Sequence, residues 1–336
     1  MRESLNTAAI ATILAAVADP EDQAQPAVAR AAEIAAALGS RVLLFHAAFY
    51  APLSGRPFFD SKRLARVRGE FVAQRTAKLE RHAQELRQRG IDAQSIVVWE
   101  EPAYEAIVRA AIRDNVDLVI AGPHAASSRQ AGWTLRHTDW QLLRLCPRPL
   151  LLVRSAASPN GKGCVLAALD PTHLNDKPAA LDRLLLQWGA SMAGVSGAEL
   201  HAIHSIPAAS YALGETSPEA REKIKRRTQR KLAAEVKQSQ VPVAHMHVVS
   251  GNPEAAIPRT VEQRKANLLV MGAISRRGLQ RLVIGDTAER IIHAVACDLL
   301  IVKPQGFKVR LGKAQTQAVI MPSVKRRKQS RAGSSS

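Results

Sequence analysis

The chain contains the same α/β segment twice, and this duplication constrains its fold more than any single motif does. Three landmark residues recur in one order, and they form the pairs Asp19 and Asp170, Gly122 and Gly272, and Cys146 and Cys297. The separations within these pairs are 151, 150 and 151 positions, so the register hardly drifts. A repeat of this length is a duplicated domain, since solenoid units are only about 20–50 residues long.

The length of 336 residues accommodates two domains of about 150 residues, each able to bury its own core. The landmarks predict a first domain at residues 1–154, a linker at 155–163, a second domain at 164–304 and a basic tail at 305–336. The linker contains Ser, Pro and Gly, which are typical of connecting segments.

Strands alternate with helices in both halves. In the first half, the apolar run Ala9–Ala18 predicts a buried strand, and Pro26–Leu38 predicts a helix that ends at Gly39. This alternation predicts parallel strands, right-handed crossovers and helices on both faces of the sheet. Each half is therefore expected to be a doubly wound α/β domain with a five-stranded parallel sheet. Ligands of such domains lie beyond the carboxyl ends of the strands.

The segment that follows the fourth strand of the second half carries the strongest chemical signal. Glycines at a strand end and just before a helix allow backbone N–H groups to approach a phosphate closely. Together with the acidic residue after the first strand, the candidate binding residues are Asp170, Gly272, Ser275, Arg276, Gly278, Gly285, Asp286 and Thr287.

This segment, with the run Cys297–Pro304, resembles the universal stress protein family. Nucleotide-binding members of that family carry Gly-x2-Gly-x9-Gly-(Ser/Thr) here, and Gly251-Asn252-Pro253 resembles the family's Gly-x-Pro turn. The resemblance covers about residues 8–304. It implies an adenine-nucleotide α-hydrolase-like fold, a role in stress tolerance, and contact of Asp170 with an adenosine.

The resemblance also implies how the two halves associate. The closing strands, expected at Leu150–Arg154 and Leu299–Lys303, should pair across an internal two-fold axis and cover an open sheet edge. The chain is thus expected to be an intramolecular pseudo-dimer. Whether two chains then form a homodimer stays open.

Two departures from the family motif bear on nucleotide binding. Ser275 stands where the second glycine would fall, and Asp286 stands where a phosphate-contacting Ser or Thr would fall. A carboxylate about 4 Å from a phosphate charge repels it by about 4 kcal/mol at an effective dielectric of 20. Asp286 and Glu289 are predicted to cap the following helix, so that the protein fills its own anion site. ATP is therefore disfavoured and no cofactor is expected, although Arg276, Arg277 and Arg281 could instead bind an anion.

The first half is further from the motif. Pro123 follows Gly122 and cannot donate a backbone N–H, and the only glycine in residues 126–137 is Gly132. The helix that follows is predicted to begin at Thr138 or Asp139, which would cap it. Phosphate binding is not expected in this half.

The charge balance is strongly basic. The chain has 47 Lys and Arg against 29 Asp and Glu, and from Gln305 onward it has eight basic residues and no acidic one. This tail is predicted to be disordered, and it could bind nucleic acid or an anionic surface weakly. A solvated surface is the alternative, because no aromatic residues interleave to stack bases.

Cysteine usage and hydropathy indicate the compartment. Three cysteines form no disulfide framework and are predicted to be small buried side chains in a reducing environment. The apolar N-terminal run is repeated inside the chain at Val165–Asp170, so it is predicted to be a strand and not a signal peptide. No transmembrane segment is expected, and the location is predicted to be cytoplasmic.

No arrangement typical of catalysis is present, and the chain is predicted not to be an enzyme. His245 and His247 share one face of a strand, and His201 and His204 are three positions apart, so four imidazoles could approach a metal. The spacing is weak evidence, and these residues are predicted to be ordinary half-buried histidines with no metal site. Three hypotheses remain: a non-enzymatic stress protein that binds a ligand or partner, an ATP-binding and weakly hydrolysing switch, and a nucleic-acid-associated protein anchored by its tail.

Overall fold

The computed structural model describes residues 8–54, 61–122, 135, 137–154, 163–172, 179–212, 217–273, 284–307, 309, 311 and 312. Its strands are β1 Thr12–Ala16, β2 Arg41–Ala48, β3 Ala93–Trp99, β4 Leu118–Ala121, β5 Leu150–Leu152, β6 Cys164–Ala168, β7 Glu199–Ile206, β8 His245–Ser250, β9 Ala266–Gly272 and β10 Asp298–Val302. Its helices are α1 Pro26–Leu38, α2 Ser61–Gln88, α3 Ala103–Arg113, α4 His137–Leu145, α5 Ala179–Ser196, α6 Ala209–Ala212, α7 Pro218–Ser239, α8 Pro253–Gln263 and α9 Asp286–Ala294.

The strands form one continuous sheet in the order β3-β2-β1-β4-β5-β10-β9-β6-β7-β8. Each half contributes five strands, and the strands within each half pair in parallel. This is the doubly wound α/β architecture that the alternation of strands and helices predicted. The two half-sheets are mirrored in their order, so β3 and β8 are the outer edges.

The two halves meet through their closing strands. β5 and β10 pair antiparallel, with Leu151 opposite Leu300 at the centre of the contact. All the residues of both strands are buried, as expected for strands with helices on both faces. The pairing of the closing strands, which the family resemblance implied, therefore removes what would have been an exposed sheet edge in each half.

Alternate residues of each strand face two separate apolar layers. Ile13 and Leu300 contribute to one layer, which also contains residues of α1, α2, α5 and α7. Leu14 and Leu299 contribute to the other, which contains residues of α3, α4, α8 and α9. Both layers run through both halves, so the duplicated domains share their cores across the β5–β10 contact.

Local signals in the sequence explain several helix ends. Gly39 adopts a left-handed conformation with φ 72° and ends α1. The Ser217 hydroxyl accepts a hydrogen bond from the Ala220 N–H and caps α7. Two short elements were not predicted, namely α6 and a 3₁₀ turn at Ala51–Leu53. Cys146 and Cys164 are buried as expected, whereas Cys297 is partly exposed.

The chain after β10 differs from the expected free tail up to Gly312. Val309 and Leu311 pack against the apolar layer that contains α3 and α4. Arg109 of α3 donates from Nη1 to the Gly312 carbonyl oxygen at 2.8 Å. Apolar packing and a charge-assisted hydrogen bond therefore hold this stretch on the first half, which the basic composition of the tail did not indicate. Among the described residues, no helix is long and apolar enough to cross a membrane.

Candidate functional site

The candidate site of the second half lies at the carboxyl ends of β6 and β9. These strands are neighbours, with Ala168 opposite Met271, so the chain immediately after each strand reaches the same edge of the sheet. Asp170 and Gly272 are thereby brought to this edge, as the sequence predicted. Ser275, Arg276 and Gly278 lie outside the described residues, and their placement stays a prediction.

Hydrogen bonds to neighbouring residues hold Asp170 just beyond the carboxyl end of β6. Its residue exposure is 5%, its backbone N–H donates to Asp182 Oδ2 at 3.0 Å, and its Oδ1 accepts from the Thr172 hydroxyl at 2.8 Å. Asp182 lies in the first turn of α5 and is itself buried. The Asp182 contact holds the backbone of Asp170 and the Thr172 contact orients its carboxylate, which suits a residue that would accept hydrogen bonds from a ligand.

The start of α9 corrects the predicted capping. Gly285 occupies the N-cap position, with φ −68° and ψ 145°, and Asp286 is the first residue of the helix. Asp286 is exposed, and Thr287 and Glu289 are partly buried. The prediction that Asp286 is the capping residue is therefore wrong, because the extended backbone conformation that a cap requires falls on Gly285. The negative charges of Asp286 and Glu289 still lie in the first turn, where they interact favourably with the positive end of the helix dipole.

At the corresponding edge of the first half, the described residues leave little space. Asp19, the counterpart of Asp170, forms an ion pair with Arg75 Nη1 at 2.6 Å. A cavity of only about 10 Å³ remains beside Asp19, Pro26, Ala27 and Gly122, which is the space of one water molecule. A Cβ atom on Gly122 would lie 3.3 Å from the Ala27 backbone nitrogen, so α1 packs directly against the end of β4.

Other expectations for the first half have mixed outcomes. The predicted start of α4 at Thr138 or Asp139 is wrong by one or two residues, because the helix begins at His137. Pro123 and Gly132 lie outside the described residues. Whether this half holds a phosphate stays a prediction, since the loop that follows Gly122 lies outside the described residues.

Three of the four histidines lie together at the outer edge of the second half. His201 of β7 is directly opposite His245 of the edge strand β8, and Glu199 precedes His201 on the same face. His201 Nε2 lies 3.3 Å from Glu199 Oε2, and His245 Nε2 lies 3.8 Å from the same oxygen. His247 Nε2 lies 3.3 Å from His201 Nδ1. We call Glu199, His201, His245 and His247 the histidine cluster.

The members of the histidine cluster differ in exposure, and His247 has a lowered pKa. His201 is buried, whereas the side chains of His245 and Glu199 are more than half exposed. Burial, and then the positive charge of Arg264, lowers the pKa of His247 to about 4. Sequence reasoning noted the histidines but missed Glu199. A Glu-x-His pair on one strand beside a His-x-His pair on the next was the signal available.

His204 has a different role. Its Nδ1 lies 3.0 Å from the Leu169 carbonyl oxygen, and His46 in the first half makes the same contact with Val17 at 2.9 Å. Because both halves contain this contact, His204 is a structural residue that joins β7 to the chain just after β6.

The cysteines are poor candidates for nucleophiles. Burial raises the pKa of Cys297 to about 12 and raises the pKa of Cys146 and of Cys164 above its ordinary value. A thiol with a raised pKa is a weak nucleophile at neutral pH, because the thiolate is the reactive form. The three cysteines therefore behave as structural side chains.

Comparison with known proteins gives a consistent picture. The universal stress protein family model matches residues 10–154 and 176–303. Universal stress protein E of Photorhabdus laumondii is 28% identical over 309 residues, which cover 90% of this chain and 98% of that protein. Universal stress protein E of Escherichia coli K12 is 28% identical over 298 residues, which cover 87% of this chain and 94% of that protein.

Solved structures share the fold. A functionally unknown protein from Pseudomonas aeruginosa PAO1 has a TM-score of 0.67 and 24% sequence identity, and the match covers 89% of this chain and 94% of that chain. A universal stress protein from Archaeoglobus fulgidus has a TM-score of 0.59 and 17% sequence identity, and the match covers 90% of this chain and 99% of that chain. At sequence identities of 24% and 17%, the similarity to these two structures shows a shared fold and nothing about function.

Proposed function

Because the chain belongs to the universal stress protein family, with two of its domains in tandem, we propose that it acts in stress tolerance by binding a ligand or partner without catalysing a reaction. In this proposal the second domain retains a degenerate nucleotide site, and the first domain has none. A cytoplasmic location is part of the proposal, and the low cysteine content supports it, because disulfide frameworks mark oxidising compartments.

The acidic start of α9 carries the proposal. Helix N-termini bind phosphates because their free N–H groups and dipole favour negative charge. Here the first turn already contains Asp286, which is exposed toward solvent, and Glu289. A polyphosphate at this terminus would have to overcome the repulsion of two carboxylates, whereas the family motif has a neutral hydroxyl at position 286.

The alternative is an ATP-binding and weakly hydrolysing switch in the second domain. Its support is the approach of Asp170 and Gly272 at the shared edge of β6 and β9, where the resemblance expects adenosine and phosphate. This alternative requires the arginines at 276, 277 and 281 to outweigh the two carboxylates of α9. It is therefore distinguished from the main proposal by affinity for ATP.

Calorimetric titration with Mg-ATP tests the proposal on the full chain. We expect the dissociation constant of the wild-type protein for Mg-ATP to be above about 100 μM, the range of weak binding. Asp286→Ser combined with Ser275→Gly restores the family motif, and it should raise the affinity at least about tenfold, since removing a few kcal/mol of repulsion corresponds to that factor or more. Asp139→Ser, a matched change in the first turn of α4, should leave the affinity unchanged. Micromolar affinity of the wild-type chain would overturn the proposal in favour of the switch.

A further inference from the structure

We infer that the histidine cluster is a divalent transition-metal site, with Zn²⁺ as its probe, in which Glu199, His201 and His245 are the ligands and His247 supports His201. Potential ligand atoms of the first three residues all lie within 4.8 Å of one another. Two imidazoles and a carboxylate are the donor set that Zn²⁺ accepts in sites that keep an open coordination position.

The distances suit a tetrahedral ion. Ligand atoms about 2.0–2.2 Å from Zn²⁺ in a tetrahedron are separated by about 3.3–3.6 Å. The Glu199 carboxylate oxygen lies 3.3 Å from His201 Nε2 and 3.8 Å from His245 Nε2. The ligand atoms of the three residues lie within 4.8 Å of one another. Because the side chains of Glu199 and His245 are exposed, rotations about their side-chain bonds can bring these atoms to the tetrahedral separation. The buried His201 provides the fixed point of the site.

His247 completes the arrangement expected around a metal-bound histidine. A ligating imidazole commonly uses its second ring nitrogen in a hydrogen bond that fixes the orientation of the ring. His201 faces Glu199 with Nε2 and contacts His247 with Nδ1 at 3.3 Å. The ring of His201 is therefore already oriented so that Nε2 is directed toward the Glu199 carboxylate.

The first half shows that the fold does not require these residues. The sheet register aligns the four positions of the cluster with Arg41, Leu43, Gln94 and Ile96. None of these side chains is a metal ligand of the cluster's kind, yet β2 and β3 pair in the same way as β7 and β8. The grouping of a carboxylate and three imidazoles is thus specific to the second half.

The Glu199 carboxylate is adjacent to both His201 and His245, and its negative charge favours a cation between them. Glu199→Gln should therefore weaken metal binding.

Titration of the untagged full chain with Zn²⁺, and with Co²⁺ followed by its visible absorption, tests the inference. We expect one ion per chain and the absorption of a four-coordinate Co²⁺ site. His245→Gln and His247→Ile install the residues of the first half, and each should weaken Zn²⁺ binding about 10–100-fold. His82→Gln, in the first half, is the matched control and should bind as the wild type does.

His245 is exposed on an edge strand, so His245→Gln is not expected to disturb folding, which circular dichroism would verify. If the wild-type chain binds no Zn²⁺ in the micromolar range, the inference fails. It also fails if His245→Gln binds Zn²⁺ as tightly as the wild type, because the ion would then lie elsewhere. Neither outcome affects the proposed function, which is tested by ATP affinity.

Discussion

The Lys303 ammonium lies 2.7 Å from the carbonyl oxygen of Cys146, and so connects the end of the second half to the end of α4 in the first. It also donates to the Arg144 carbonyl oxygen at 2.8 Å. Arg154 makes the reciprocal contact, since its Nη2 donates to the Ile292 carbonyl oxygen of α9. Each half thus provides a cation at the C-terminal end of a helix in the other half, where the helix dipole favours positive charge.

Lys303→Met should lower the free energy of unfolding by about 1–3 kcal/mol, because two carbonyl oxygens at the end of α4 lose a donor in a buried site. The measurement is urea unfolding followed by circular dichroism. Lys237→Met, which changes an exposed lysine in the last turn of α7, should have an effect within about 0.5 kcal/mol. Equal effects of the two variants would show that the contact between the halves contributes nothing to stability.

The stability provided by Lys303 should depend on pH. Burial lowers the pKa of Lys303 from its ordinary value of 10.5 to about 8. Between these values the unfolded chain holds a proton that the folded chain has released, so the contribution of Lys303 to the free energy of unfolding rises with pH. Unfolding of the wild type and of Lys303→Met at several pH values should show a difference that grows above pH 8 in favour of the wild type. A difference that is constant with pH would contradict the lowered pKa.

A second contact between the halves is the ion pair of Arg30 and Asp298. Arg30 Nη1 lies 2.9 Å from Asp298 Oδ2, and both side chains are largely buried. Arg30→Leu should cost about 3–5 kcal/mol in unfolding free energy, because it removes a cation that forms an ion pair with a buried carboxylate. Arg226→Leu breaks the exposed ion pair with Glu222 and should cost less than about 1 kcal/mol. A small effect of Arg30→Leu would mean that other groups compensate the negative charge of the Asp298 carboxylate.

The sequence predicted the two α/β halves because runs of apolar residues indicate buried strands, and the family resemblance implied the pairing of the closing strands. It did not predict the side-chain contacts between distant segments. Asp19 and Asp170 occupy matched positions, yet Asp19 pairs with Arg75 whereas Asp170 contacts Thr172. These differences depend on which helix packs beside each loop, and periodicity carries no such information.

The histidine cluster was not predicted for a related reason. Grouping Glu199, His201 and His245 requires the register of β7 against β8, in which His201 lies opposite His245. A shift of one residue would place the two histidines on opposite faces of the sheet. The cap of α9 was misassigned by one residue because Gly285 and Asp286 are both acceptable N-cap residues, and the backbone conformation decides between them.

The chain after β10 should divide into a packed part and a basic part with separate effects. Truncation after Gly312 retains Val309, Leu311 and the Arg109 contact, so it should leave the melting temperature unchanged. Truncation after Pro304 removes this packing and should lower the melting temperature by a few degrees, as expected for a loss of about 1–2 kcal/mol. Equal melting temperatures for the two truncations would show that the packed part does not contribute to stability.

The same truncations test whether the tail binds nucleic acid. Residues 313–336 contain six basic side chains and no acidic one. If these side chains contact phosphates, binding to duplex DNA at low salt should weaken on truncation after Gly312. The slope of log affinity against log salt should then fall by about 0.9 for each phosphate that is no longer neutralised, or by about 5 if all six side chains take part. Replacement of the six basic residues by Gln in the full-length chain is the matched control, and it should reproduce the weaker binding if charge is the cause. Unchanged binding and slope after truncation would show that the tail is only a solvated basic segment.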